Sequence, residues 1–204
     1  MKNKTLHFIT EVGVFSALGL LFDFLAGLYS EPIFPQGGSI SIAMIPIFIM
    51  AFRWGLKGGL TTGLIIAITQ LPYSSVFRYG LSWETLLFII LLDYILAYTL
   101  LGLAGLYTKR IRNSKEMSGK LYYITNGILL AGLLRTICHV ISGLIFFRQF
   151  IPEFIVEQHI WYYWSIIYNL GYMVPSIILC ILITRALIKR FHTNLLNPDS
   201  PIVG

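Results

Sequence analysis

Residues 86–106 read LLFIILLDYILAYTLLGLAGL, an apolar run with a single carboxylate, Asp93, inside it. About 20 apolar residues in a helix span the roughly 30 Å hydrocarbon layer of a bilayer. Backbone at that depth has no water to bond to, so a run of this kind folds as a helix. The pattern recurs. Six apolar segments lie at roughly 6–29, 40–54, 56–73, 85–108, 121–147 and 161–188. The chain has 204 residues, 56% of them hydrophobic and 12% charged, with mean hydropathy +0.76, whereas soluble domains carry about 25% charged residues. These segments predict an all-α integral membrane protein of six transmembrane helices. One domain is expected over 1–192, with a disordered tail over 193–204.

The apolar stretch that follows MKNK reads as a first span and not as a cleaved signal peptide. Spans two and three are separated only by the basic turn RWGLKGG, which predicts a tight hairpin. Gly55, Gly58, Gly59 and Gly63 predict close packing of span three against its neighbours. The segment 148–159, RQFIPEFIVEQH, has the mixed character of a loop holding a short amphipathic helix.

The basic residues orient this arrangement. Lys2, Lys4, Arg53, Lys57, Lys109, Arg110, Arg112, Lys115, Lys120, Arg185, Lys189 and Arg190 fall on one side of a six-span chain. Arg78 and Arg148 fall in loops on the other side. Cytoplasmic loops carry the excess of Lys and Arg, so both termini are expected in the cytoplasm. The net charge of +6 is then an orientation signal that also meets anionic lipid. No nucleic acid is needed to explain it. Glu31, Glu84, Glu153 and Glu157 lie on the outer side, where they attract cations.

Charged and polar groups at membrane depth are costly and mark functional sites. Besides Asp93 there are Arg135 and His139 in GILLAGLLRTICHVISGLIFF (127–147) and Asn169 in YYWSIIYNLGYMVPSIILCILI (162–183). For Asp93 two readings stand: a structural pair with Arg135, or a counter-ion for a cationic ligand. Tyr94 adds a hydroxyl beside it. Arg135 and His139 are four residues apart and share a helix face. Asn169 suits interhelical bonding or a lining role, and Trp164 lies near the same face. Aromatic residues are richer on the outer side, among them Phe34, Phe147, Trp83 and Trp164. An interfacial belt accounts for most of them. The asymmetry suggests that some line a site, and aromatic walls with a carboxylate suit a flat cationic heterocycle. On span one, Gly13 and Ala17 in GVFSA form a small-residue pair that lets another helix approach, inside the chain or outside it. Glu11 and Asp23 are further carboxylates on that span and receive no role.

Other chemistries lack their motifs. There is no GxxxxGK[ST] loop, no HExxH and no GxSxG. No catalytic residue, metal site or cofactor is expected. Cys138 and Cys180 sit in apolar segments as small packing residues.

Taken together, EVGVFSAL, GGSISIAMIPIFIMAFRWGLKGGL, LLDYILAYTLLGLAGL, CHVISGLIFF and YNLGYMVP, in this order over nearly the whole chain, resemble one family. They are similar to the thiamine-specific (ThiT/YuaJ-like) substrate-capture, or S, subunits of energy-coupling-factor (ECF) vitamin importers. The resemblance implies thiamine as ligand, captured outside a prokaryotic cell membrane. It implies partners: an EcfT-like transmembrane coupling subunit and two cytoplasmic ATPases. The chain itself is then not an enzyme. Asp93 matches the family's acidic residue that balances the thiazolium, Tyr94 follows it, and His139 matches the histidine that helps hold the pyrimidine. Phe147 falls where some members have a stacking tryptophan, Trp164 where some have tyrosine, and Trp83 near a position often held by tyrosine. Asn169 matches the family's asparagine. Gly13 and Ala17 fall on the face that meets the coupling subunit. Two departures stand out. Gly37 and Gly38 occupy a first loop that carries tryptophan in some members, and Pro175-Ser176 replaces Pro-Glu. An S subunit for another vitamin or a pyrimidine precursor is the alternative reading, and a small intramembrane enzyme using His139 and Asp93 is a further one.

Overall fold

The computed structural model describes residues 4–30, 32–35, 37–146, 148, 151, 153–157 and 160–200, and every regular element among them is helical. Helix α1 is Lys4–Ser30, α2 is Met44–Trp54 and α3 is Leu56–Gln70. Two 3₁₀ turns, Leu71–Tyr73 and Ser75–Arg78, lead on from α3. Helix α4 runs over Trp83–Asn113, α5 is Met117–Phe146, α6 is the short Glu153–Glu157 and α7 is Trp161–Leu196. Five helices are long and apolar enough to cross a membrane, counting α3 through to Arg78; α2 is shorter. The expected short helix in 148–159 is α6.

Helix α2 is the core of the bundle. Its 11 residues reach about 16 Å, half a hydrocarbon layer. Ile47, Phe48, Met50 and Phe52 are fully buried, packed by α1, α3, α4 and α7. Residues 40–43, expected at the start of this span, instead belong to the preceding loop and its turn. The expected hairpin is present, because one residue, Gly55, separates α2 from α3 and adopts φ 72°. A left-handed conformation of this kind favours glycine.

Lipid tails are as apolar as leucine, so helices in a bilayer associate through close packing. Span three shows this. A Cβ on Gly59 would lie 2.7 Å from the Ala51 Cβ and 2.6 Å from the Gly102 Cα. A Cβ on Gly58 would lie 2.5 Å from the Met50 carbonyl oxygen. Glycines at these points bring the backbones of α2, α3 and α4 into contact, as the sequence predicts. The Thr108 hydroxyl adds a bond of 2.9 Å to the Ala51 carbonyl, joining α4 to α2.

Two helices depart from plain α geometry. Helix α4 is π-helical over Ile90–Leu96 and 3₁₀ over Leu100–Tyr107. Helix α7 bends at Phe191 (φ −126°, ψ 31°). It then continues to Leu196, past the His192 boundary read from the sequence. Leu195 and Leu196 are buried against the core, so the expected tail begins with packed residues.

An ion cluster explains that packing and gives Glu11 a role. Arg53 is fully buried at the end of α2. Its Nε and Nη2 each donate to Glu11 on α1, at 2.6 Å. Its remaining hydrogens go to the carbonyls of Asn194, Asn197 and Ser200. Trp54 Nε1 also donates to Glu11, and His7 lies 2.7 Å from the same carboxylate. A buried charge is tolerable when it is paired and all its donors are used. The C-terminal segment is thereby tied to α1 and α2. Cys138 and Cys180 are buried free thiols.

Candidate functional site

The other end of the bundle holds a cavity of about 630 Å³. It lies where α1 and α3 finish and α4 and α7 begin, and the loop after α1 closes over it. Most ligand sites are cavities of this size with apolar walls and a few converging polar groups.

The polar floor comes from α4 and α5. The π-helical turn changes the register of α4, and Asp93 and its neighbour Tyr94 both line the cavity. Such insertions are frequent at functional sites. Asp93 Oδ1 lies 2.8 Å from His139 Nδ1, and the Ser142 hydroxyl donates to Oδ2 at 2.5 Å. Arg135 Nε donates to His139 Nε2 at 3.1 Å. Among the described residues Asp93 and Arg135 form no direct ion pair, because the imidazole stands between them. The guanidinium lies over the Tyr98 ring, 3.9 Å from its centroid, and the Tyr98 hydroxyl donates to Asp23 at 2.7 Å. Asp23, which the sequence left without a role, thus lies at the cavity wall across Tyr98 from the guanidinium.

The aromatic wall comes from α7. Trp164, Tyr168 and Tyr172 recur every four residues and line the cavity together. Phe34 packs edge-on to Tyr168 and Tyr172, with ring centres 5.6 and 5.5 Å apart. Asn169 is buried on the same wall. Its Nδ2 donates to the Ser165 carbonyl at 2.8 Å, and its Oδ1 accepts from the Tyr172 hydroxyl.

The first loop is fastened to this wall. Gly37 and Gly38 have φ of 94° and 96°. The Tyr168 hydroxyl donates to the Gly37 carbonyl at 2.9 Å. A Cβ on Gly38 would lie 2.5 Å from Tyr172 Cε1, so the loop fits only with glycine there. The Ser176 hydroxyl accepts from the Ser41 N–H at 2.9 Å and donates to the Tyr172 carbonyl at 2.7 Å. Both departures from the family pattern are therefore accommodated in one joint, where serine and glycine hold the loop on α7.

Of the residues singled out from the sequence, Asp93, Tyr94, His139, Trp164 and Asn169 line one cavity. Trp83 does not. It stands in the first turn of α4, 68% exposed, as an interfacial aromatic would. Phe147 lies outside the described residues. Gly13 and Ala17 are on the exposed face of α1, and a Cβ on Gly13 would meet nothing within 4 Å. The sequence missed Tyr98, Ser142, Tyr168, Tyr172 and Gln70, whose side-chain nitrogen has no partner among the described residues. Spacing could have found two of them, since Tyr98 follows Tyr94 by four residues and Ser142 follows His139 by three.

A helical membrane bundle with a cavity walled by aromatics and floored by carboxylates has the form of a small-molecule binding protein. The chain belongs to the thiamine transporter protein family (Thia_YuaJ), whose sequence model matches residues 9–196. It is 36% identical over 185 residues to the thiamine transporter ThiT of Bacillus subtilis (strain 168), covering 89% of this chain and 90% of that one. It is 25% identical over 193 residues to the thiamine transporter ThiT of Lacticaseibacillus paracasei, covering 92% and 89%. In fold it matches ThiT from Listeria monocytogenes with a TM-score of 0.77 at 20% identity, covering 96% of this chain and 100% of that one. Family membership and the long apolar helices make this a multi-pass protein of a prokaryotic cell membrane.

Proposed function

We propose that the chain is the thiamine-binding S subunit of an ECF-type importer. It captures the vitamin outside and delivers it inward with a coupling subunit and two ATPases. The observation that carries this reading is Asp93, held by His139 and Ser142 at the floor of an aromatic cavity. Thiamine joins a permanently cationic thiazolium to a flat aminopyrimidine. The carboxylate answers the charge, and Trp164, Tyr168 and Tyr172 answer the rings by stacking and cation–π attraction. The names of the curated relatives support the same ligand. The basic residues Arg53, Arg112, Arg185, Lys189 and Arg190 support six spans with both termini in the cytoplasm, which puts the cavity mouth outside. The exposed Gly13 and Ala17 strip supports docking of a partner helix on α1.

In this arrangement both ring nitrogens of His139 are engaged within the protein. Its part is to hold Asp93, and the pyrimidine is left to the aromatic wall. Two measurements on one preparation test the reading. The purified chain should bind thiamine without altering it. Uptake into proteoliposomes should require the coupling module and ATP. Uptake by the chain alone, or no binding of thiamine, would overturn it.

A further inference from the structure

A cavity that takes a cation should not carry a guanidinium, yet Arg135 lines this one. Its surroundings explain how it is kept there. The Tyr98 ring covers it at 3.9 Å and orders it through cation–π attraction. Asp23 accepts from the Tyr98 hydroxyl and so holds the ring in place against the guanidinium. What the guanidinium does follows from its bonding. Arginine only donates, and it does not give up its proton in a protein. The nitrogen that its Nε–H meets, Nε2 of His139, must therefore present a lone pair. The ring proton is left on Nδ1, where it donates to Asp93 at 2.8 Å. A proton on Nε2 would set two N–H groups head to head beside a fixed cation.

We infer that Arg135 is a positioning residue for ligand capture, which fixes the tautomer of His139 and through it the orientation of Asp93. The inference rests on the reading of the cavity as the ligand site. With Nδ1–H and the Ser142 hydroxyl each bound to one carboxylate oxygen, Asp93 keeps one orientation while its other lone pairs face the cavity. A ring that also carried a proton on Nε2 would be a cation against Asp93 and would neutralise it. The cation site would then be lost without any change in the residues that touch the ligand.

The test reads the tautomer directly. Protein labelled with ¹⁵N-histidine gives long-range ¹H–¹⁵N spectra that separate Nδ1–H from Nε2–H rings, and the His139 signal is assigned by its absence in His139→Gln. The wild type should show Nδ1–H. Arg135→Met leaves Nε2 without its donor, so an Nε2–H signal should appear beside Nδ1–H, and thiamine binding should weaken by about tenfold or more, the size of a charge-assisted hydrogen bond. Arg135→Lys keeps a donor-only cation and should restore the lone Nδ1–H signal and most of the affinity. In Asp93→Asn, adding Arg135→Met should cost little more, because the two act through one group. An Nε2–H ring in the wild type, an unmoved ring in Arg135→Met, or fully additive losses would overturn the inference. Should Arg135→Met fail to fold, the wild-type and Arg135→Lys spectra decide, since an Nε2–H signal in either contradicts it. The spectra need no ligand. A chain with the Nδ1–H ring that fails to bind thiamine would remove the ligand assignment and leave the tautomer standing.

Discussion

The carboxylate of Asp93 on α4 and the imidazole of His139 on α5 meet at 2.8 Å, and the ring in turn receives a bond from Arg135 one helical turn away. A charge that costs several kcal/mol at membrane depth is thus held by donors on both oxygens. The cavity above it is walled by rings from α7 and covered by the first loop.

Trp164 should report ligand binding and Trp83 should not. Trp164 lines the cavity, whereas Trp83 is exposed at the start of α4. Thiamine should quench tryptophan fluorescence in the wild type and in Trp83→Phe, and much less in Trp164→Phe. Trp164→Ala should lose about 1–2 kcal/mol of binding, and Trp83→Ala none. Equal quenching in Trp164→Phe and the wild type would place the ligand elsewhere.

Enlarging the exposed strip on α1 should separate binding from transport. Gly13→Leu with Ala17→Leu meets no neighbour within the chain at Gly13, and neither residue lines the cavity. Thiamine affinity of the isolated chain should stay the same. ATP-dependent uptake with the coupling module should be lost, because the partner helix can no longer approach. Normal uptake by the double variant would show that the docking face is elsewhere.

Arg53→Met should destabilise the fold more than any cavity variant. It leaves the buried Glu11 carboxylate with only Trp54 and His7 beside it and frees three carbonyls of the C-terminal segment. Breaking a buried pair from one side costs about 3–5 kcal/mol. Thermal unfolding in detergent should fall steeply, and Glu11→Leu with Arg53→Met should recover part of the loss. A wild-type melting point in Arg53→Met would show the cluster to be inert.

The helices were legible in the sequence because each span carries a long, mostly apolar run. Gly55, Gly58 and Gly59 foretold the tight junction of α2 with α3. Residues 40–43 and the helix end beyond His192 were misread because hydropathy does not see a loop sealed by neighbouring helices or a bend such as Phe191. Asp93, His139 and Asn169 stood out as polar groups in apolar runs. Tyr98, Tyr168 and Tyr172 did not, since tyrosine in a membrane sequence reads equally well as interfacial belt, and Gly37 and Gly38 carry no side chain that could signal their place over Tyr172. Glu11 and Arg53 are 42 residues apart, and only the folded bundle brings them together.

The most direct test of the account is a calorimetric titration of thiamine into the purified wild type and into Asp93→Asn. The account predicts tight one-to-one binding to the wild type. It predicts a loss of about 3 kcal/mol, on the order of a hundredfold in Kd, in a variant that keeps its shape and its melting point. Equal affinity for the two proteins would contradict it, because the charge on Asp93 would then have no part in holding the ligand.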